Sequence, residues 1–173
     1  MTSSVRTSSG ARSSRGPRHR RVVGAAAAVL LAVPLAAVTG CGGPDGLEGT
    51  VVAVDDTGRG DRSLGGGWVA VLDADGLVDF LSGSGIDPPS ADDLPYVAGR
   101  VLRDDVTRAG GSLATVDEDG AFALTATGRH TVCRLVEAPQ VDLLKGCAVV
   151  DLPARGRLQL SVGAAGLRAT LDD

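Results

Sequence analysis

The chain has 173 residues, of which 17 are Lys or Arg and 21 are Asp or Glu. Six of the basic residues precede residue 22 and the first acidic residue is Asp45, so residues 41–173 carry eleven basic and 21 acidic side chains, a net charge of −10. An acidic surface of this kind repels phosphate groups, which argues against nucleic-acid binding and leaves basic partners and divalent cations as candidates.

Residues 1–40 have the organisation of a signal peptide. A basic segment ends at Arg21, and an almost unbroken apolar run follows from Val22 to Val38. This order is typical of secretory signals. The closing segment Val38-Thr39-Gly40-Cys41 resembles the bacterial lipobox, whose cysteine thiol receives a diacylglycerol before cleavage. We therefore predict a lipoprotein with a lipid-anchored Cys41 and a short tether over 41–48, held at the outer face of the bacterial cell membrane.

An alternative for the same segment is an uncleaved transmembrane helix, because an apolar run of roughly 18 residues is just long enough to span a bilayer. Both interpretations place the rest of the chain outside the cell, since the arginine cluster stays on the cytoplasmic side. The Arg20-Arg21 pair also leaves twin-arginine export open beside the general secretory route.

Residues 49–173 are predicted to form one all-β domain. Eight short runs are β-branched or alternate apolar with polar residues, and each is bounded by Gly, Asp or Pro. They cover residues 50–54, 68–72, 113–116, 122–125, 131–135, 148–152, 158–162 and 167–171. This number of strands predicts a seven- to eight-stranded antiparallel β-sandwich. Tight turns at Asp117–Gly120 and Gly163–Gly166 predict two hairpins.

One segment departs from the strand pattern. Between residues 93 and 108 the apolar side chains recur at helical spacing, and Ser90 with Asp93 could form a capping box. The apolar residues are Leu94, Val97, Ala98, Val101 and Leu102. We predict one short helical insertion over about residues 93–108, lying across the sandwich.

Four stretches of the domain carry a family resemblance. They are Gly49-Thr50-Val51, Gly66 to Val71, Val116 to Leu124 and Gly128 to Val132. Their strand and turn chemistry resembles the transthyretin-like, carboxypeptidase-regulatory-like β-sandwich family. The helical insertion departs from that family's pattern, and so does His130, which stands where the family usually has Tyr. The resemblance implies a structural or binding module that is not itself catalytic.

With Cys41 assigned to the lipid, Cys133 and Cys147 remain as an even pair. An exported domain lies in an oxidising compartment, where such pairs form disulfides. We therefore predict a bond between Cys133 and Cys147.

Candidate reactive groups are few. His130 is the only histidine and Lys145 the only lysine after residue 40, and no Gly-x-Ser-x-Gly motif is present. Such a set does not match the usual nucleophilic enzymes. No cofactor is expected, but Asp73, Asp75 and Asp79 around a Gly turn form a weak calcium candidate, because hard cations favour carboxylate oxygens.

Two hypotheses of function follow from the sequence. The first is a membrane-anchored extracytoplasmic lipoprotein that serves as a non-catalytic binding or structural module of the cell envelope, with an envelope protein or basic partner. The alternative is a small extracytoplasmic hydrolase that uses His130 and a carboxylate.

Overall fold

The computed structural model describes residues 46–55 and 60–172. Within these residues the chain forms ten strands, two α-helices and one 3₁₀ turn. The strands are β1 (Leu47–Ala53), β2 (Arg62–Ser63), β3 (Trp68–Leu72), β4 (Ala98–Val101), β5 (Ser112–Thr115), β6 (Ala121–Leu124), β7 (Gly128–Val136), β8 (Asp142–Leu152), β9 (Gly156–Gly163) and β10 (Gly166–Asp172). The helices are α1 (Ala74–Gly83) and α2 (Arg103–Arg108), and the 3₁₀ turn is Leu94–Tyr96. No helix in this part of the chain is long and apolar enough to cross a membrane.

The strands assemble into two five-stranded sheets. The first sheet has the order β10-β9-β1-β2, and β6 also pairs with β1. The second sheet has the order β4-β8-β7-β3-β5. All strand pairs are antiparallel except β1 with β9, which is parallel. The predicted all-β sandwich is confirmed, and all eight predicted runs coincide with strands. The two additional strands, β2 and β4, have only two and four residues and show no clear alternation.

Two apolar cores lie on opposite faces of the second sheet. Successive side chains of a strand point to opposite faces, and β3 is apolar on both. Val69 and Val71 pack into the core between the sheets. Ala70 and Leu72 pack on the other face, against a core that includes Phe80 of α1. The described residues therefore form three layers: the first sheet, the second sheet, and a helical layer that covers part of the second sheet's outer face.

The helical insertion is confirmed as a feature, but its bounds differ from the predicted 93–108. That segment contains the 3₁₀ turn, then β4, which pairs with β8, and then α2. The helical spacing arose because Leu94, Val97 and Val101 all face one core. Gly99 weakens a helix by about 1 kcal/mol relative to Ala. The side chain of Ile86 also occupies the space that a Cβ at this glycine would need. The longest helix is instead α1, which buries Phe80 and Leu81.

The two predicted hairpins had different outcomes. The hairpin at Gly163–Gly166 is confirmed, since those two residues pair across the turn between β9 and β10. The prediction of a hairpin at Asp117–Gly120 is wrong. The turn forms, but the strands on its two sides, β5 and β6, belong to different sheets. Val116 N donates to Gly67 O at 3.0 Å in the second sheet, and Gly120 O accepts from Val51 N at 2.8 Å in the first. These bonds hold the two ends of the turn to separate sheets.

The strand pairings also define two ends of the sandwich. Leu47, the first residue of β1, pairs with Leu124, and Gly128 follows Leu124 after only three residues. The start of β1 and the start of β7 therefore share one end. At the other end of β7, Leu135 pairs with Trp68. Trp68 and its surroundings thus lie at the end of the sandwich opposite Leu47.

Candidate functional site

A cleft opens on the outer face of the second sheet, at the end where β3 begins and β7 stops. Its volume is about 950 Å³. The walls come from β3 and β5, from the start of α2, and from the loop of residues 137–141 that joins β7 to β8. The lining residues are Trp68, Val101, Leu102, Arg103, Asp104, Leu113, Thr115, Glu137, Ala138, Pro139, Gln140, Val141 and Asp142. We call this site the Trp68 cleft.

Trp68 and Arg103 form a stacked pair in the cleft. Trp68 is the first residue of β3 and shares a face with Ala70 and Leu72, because side chains alternate along a strand. Its ring is only half-buried, unlike the rest of β3. The guanidinium carbon of Arg103 lies 3.7 Å from the ring centroid, well within the range of a cation–π interaction. The aromatic surface of the cleft is therefore covered by a cation from the protein itself.

Asp142 holds the same arginine from the other side. Its Oδ2 is 2.9 Å from Nε of Arg103, and its side chain is 4% exposed, whereas that of Arg103 is 45% exposed. A buried carboxylate is unfavourable unless it is paired. Arg103 supplies that pairing, so its guanidinium contacts a buried anion and an aromatic ring together.

The loop beside this pair contains a residue in an unusual conformation. Gln140 has φ +77°, and it is the one non-glycine residue with positive φ among the described residues. Such a conformation costs on the order of 1–3 kcal/mol and is concentrated at functional sites. Gln140 therefore places a strained backbone conformation in the wall of the cleft.

Arg134 supports the cleft from the inner side of the sheet. Its Nη1 donates to the carbonyls of Leu135 at 2.6 Å and Trp68 at 3.2 Å, and its Nη2 donates to the carbonyl of Gly66. Arg134 is 2% exposed, and burial lowers the pKa of its guanidinium. Its Nε is buried and has no hydrogen-bond partner in the described part of the chain. This residue fixes the backbone that presents Trp68 and is thus a positioning residue.

The predicted disulfide is present. Cys133 of β7 and Cys147 of β8 are bonded, and the two residues pair directly across the strands. Both side chains are fully buried in the core beneath the helical layer. The loop closed by this bond contains Arg134, Gln140 and Asp142. Cys41 and the predicted signal peptide and tether up to residue 45 lie outside the described residues.

The structure does not bring the three calcium candidates together. Asp73 caps the N-terminus of α1 and accepts a hydrogen bond from Gly76 N at 2.7 Å. Asp75 and Asp79 lie within the helix, four residues apart and exposed to solvent. Nowhere in residues 46–55 and 60–172 do three or more His, Cys, Asp or Glu side chains form a group that could hold a metal ion. The Asp-rich segment is the start of a helix, with Asp73 as its N-cap.

This assignment can be tested by removing the cap. We expect Asp73→Ala to lower the free energy of unfolding by about 1 kcal/mol, the usual effect of losing an aspartate N-cap. Asp75→Ala is the matched control, because Asp75 lies in the first turn and makes no cap bond. Urea unfolding with and without calcium measures both. A loss of stability that appears only when calcium is present would contradict the capping role.

His130, the candidate general base, lies in β7 near its first residue. Its Nδ1 is 3.2 Å from the carbonyl oxygen of Gly128, and it forms no ion pair with any carboxylate of the described residues. Val150 is its neighbour across the strands. This position is at the end of β7 remote from the Trp68 cleft, so the cleft and the histidine do not form one site.

The comparisons with known proteins gave no relative. No protein-family model matches the chain, and no curated protein or solved structure is significantly similar to it.

Proposed function

We propose that this domain is a non-catalytic binding module of the bacterial cell envelope, anchored through Cys41 at the outer face of the membrane. The observation that carries the proposal is the Trp68 cleft. Binding sites are typically concave and partly apolar, with a few polar groups in fixed positions. Trp68, Asp142 and Gln140 supply an aromatic surface, a buried anion and a strained loop in one cavity of about 950 Å³.

Two features favour binding over catalysis. The arginine and the buried carboxylate of the cleft already neutralise each other, so neither is a free acid or base. The single histidine beyond residue 40 lies at the remote end of β7. The sequence resemblance to the transthyretin-like, carboxypeptidase-regulatory-like family supports the same proposal, because that resemblance implies a binding or structural module.

The envelope location is supported by the leader and by the disulfide. A basic segment, an apolar run and a lipobox-like Cys41 form an export signal. Structural disulfides such as Cys133–Cys147 occur mostly in exported proteins of oxidising compartments. Because β1 begins six residues after Cys41 and the Trp68 cleft lies at the opposite end of the sandwich, such an anchor would leave the cleft directed away from the bilayer.

The anchor has a direct test. Cells expressing the full chain and supplied with an alkyne fatty acid should label the protein, and Cys41→Ala should abolish the labelling because the acceptor thiol is gone. Tyr96→Ala, an exposed substitution far along the chain, should label like the wild type. Equal labelling of Cys41→Ala would overturn the anchor and leave the cleft proposal standing.

The binding role can be tested by its dependence on Trp68. We expect crosslinking in intact cells, followed by purification, to recover an envelope partner with the wild type and at least tenfold less with Trp68→Ala, because tryptophans at the centre of an interface commonly contribute about 2 kcal/mol or more to binding. Tyr96→Ala removes another exposed aromatic residue, outside the cleft, and should recover the partner normally. Thermal melts should first establish that both variants are folded. Equal recovery with Trp68→Ala would count against the cleft as the binding site.

A further inference from the structure

The Trp68 cleft already contains the kind of group it is suited to bind. Arg103 belongs to the wall of the cleft, yet its guanidinium stacks on Trp68 and pairs with Asp142 as a ligand would. We propose that the cleft binds an arginine side chain of a basic partner protein, and that Arg103 is an internal occupant which the incoming arginine displaces. This inference rests on the proposed function and specifies its ligand.

Arg103 is well placed to leave. It is the first residue of α2, a helix of six residues, and 45% of its side chain is exposed to solvent. A long, partly exposed arginine can turn its head group into water, but Asp142 would then be buried without a counter-charge, so Arg103 leaves only as a second guanidinium takes its place. Asp142 and Trp68 stay in place because they are fixed in strands.

The buried carboxylate makes the exchange selective. If a neutral or anionic group displaced Arg103, Asp142 would remain buried at 4% exposure without a counter-charge. Removing one partner of a buried ion pair is strongly destabilising, because the other charge is left without compensation. A second guanidinium restores both the ion pair and the stack, so the exchange of one arginine for another is the one that leaves no group unsatisfied.

The charge around the cleft favours the same ligand. With Arg103 in place, the lining has one cation against three carboxylates, those of Asp104, Glu137 and Asp142. Residues 41–173 carry a net charge of −10. A basic partner would therefore be attracted at long range and would leave fewer unbalanced charges in the cleft once bound.

The shape of the site favours arginine over lysine as the ligand. A planar guanidinium can stack on an indole and donate sideways to a carboxylate together, as Arg103 does. An ammonium group is a compact, strongly hydrated charge and cannot reproduce both contacts equally well. Lysine should thus bind, but more weakly.

The chain contains its own reporter for the test. Trp68 is the only tryptophan of the sequence, so tryptophan fluorescence, excited where tyrosine does not absorb, reports on the cleft alone. The full chain, in detergent, is titrated with the capped peptide Gly-Arg-Gly and with its lysine and citrulline counterparts. We expect a saturable change with the arginine peptide, weaker binding with lysine, and at least tenfold weaker binding with citrulline, which keeps the shape and lacks the charge.

Two variants separate displacement from simple attraction. Arg103→Met removes the internal competitor and should tighten binding of the arginine peptide severalfold, since a site that is no longer self-occupied is fully available. Asp142→Asn should weaken binding at least tenfold. Arg100→Met removes an exposed arginine of β4 outside the cleft and should change nothing. The gain expected for Arg103→Met cannot come from misfolding, so the test remains decisive even if Asp142→Asn folds poorly.

Several results would overturn the inference. Equal binding of the arginine and citrulline peptides would mean that charge is not what the cleft recognises. Weaker binding by Arg103→Met would make Arg103 part of the site and not a competitor. Failure of the arginine peptide to bind either wild type or Arg103→Met would also refute it. These results would overturn arginine as the ligand only. The proposed binding module would still stand if the crosslinking experiment recovers less envelope partner with Trp68→Ala than with the wild type.

Discussion

Replacing Cys133 and Cys147 together with alanine is expected to lower the free energy of unfolding by about 3 kcal/mol. The two cysteines are 14 positions apart, and in the chain-entropy model a bond closing a loop of about that length restricts the unfolded chain by this amount. Both side chains are fully buried, so the variant also loses packing in the core beneath the helices. Guanidinium unfolding of the purified protein measures the difference.

Reductant provides the matched control for this experiment. Wild type unfolded in the presence of a thiol should approach the double variant, while the double variant itself should not respond to the thiol. The bond also closes the loop that carries Arg134, Gln140 and Asp142, so the emission of Trp68 should change along with stability. A double variant within 1 kcal/mol of wild type would contradict a structural role for the bond.

The strands were predictable because their signal is local. In β3, the run Trp68–Leu72 is recognisable from its own five residues. The disulfide was predictable because two cysteines remain after Cys41. The local pattern does not show which strands pair with each other. The turn at Asp117–Gly120 has the chemistry of a hairpin, but bonds to Gly67 and Val51, distant in sequence, direct its two sides into different sheets.

The helical layer shows a second limit of the sequence. Burial on one side gave residues 93–108 a helical spacing, although half of the segment is an extended strand and a 3₁₀ turn. At the start of α1 the error was the reverse, because a turn was predicted where a helix begins. Asp and Gly near Asp73 suggested a turn, whereas Asp73 is an N-cap and Gly76 its bonding partner. Turns and helix starts use the same residues, so composition alone does not separate them.

The Trp68 cleft could not have been found from the sequence. Arg103 lies 35 positions after Trp68 and Asp142 lies 39 positions after Arg103, so no spacing motif connects them. The one available signal was the single tryptophan of an aromatic-poor chain, placed at the start of a strand. Only the pairing of β3 with β7, and of β7 with β8, brings these residues to one end of one sheet.

Gly67, the residue before Trp68, gives the second large effect. We expect Gly67→Ala to lower the free energy of unfolding by about 2–5 kcal/mol. Its φ is +76°, where an alanine is strained by roughly 1–2 kcal/mol. A Cβ there would also lie 2.3 Å from the carbonyl oxygen of Leu135 and 2.8 Å from Nη1 of Arg134. Such overlap in a packed site typically adds about 1–3 kcal/mol.

The neighbouring glycine separates these two contributions. Gly66 has nearly the same φ, +77°, but a Cβ at that position meets no atom within 4 Å. Gly66→Ala should therefore show the backbone strain alone, about 1–2 kcal/mol. The excess for Gly67→Ala measures the contact with Leu135 and Arg134, and because that contact lies next to Trp68, only Gly67→Ala should also shift the tryptophan emission. Equal losses of stability for the two variants would mean that the backbone at Leu135 yields freely, and that Arg134 does not hold the cleft in place.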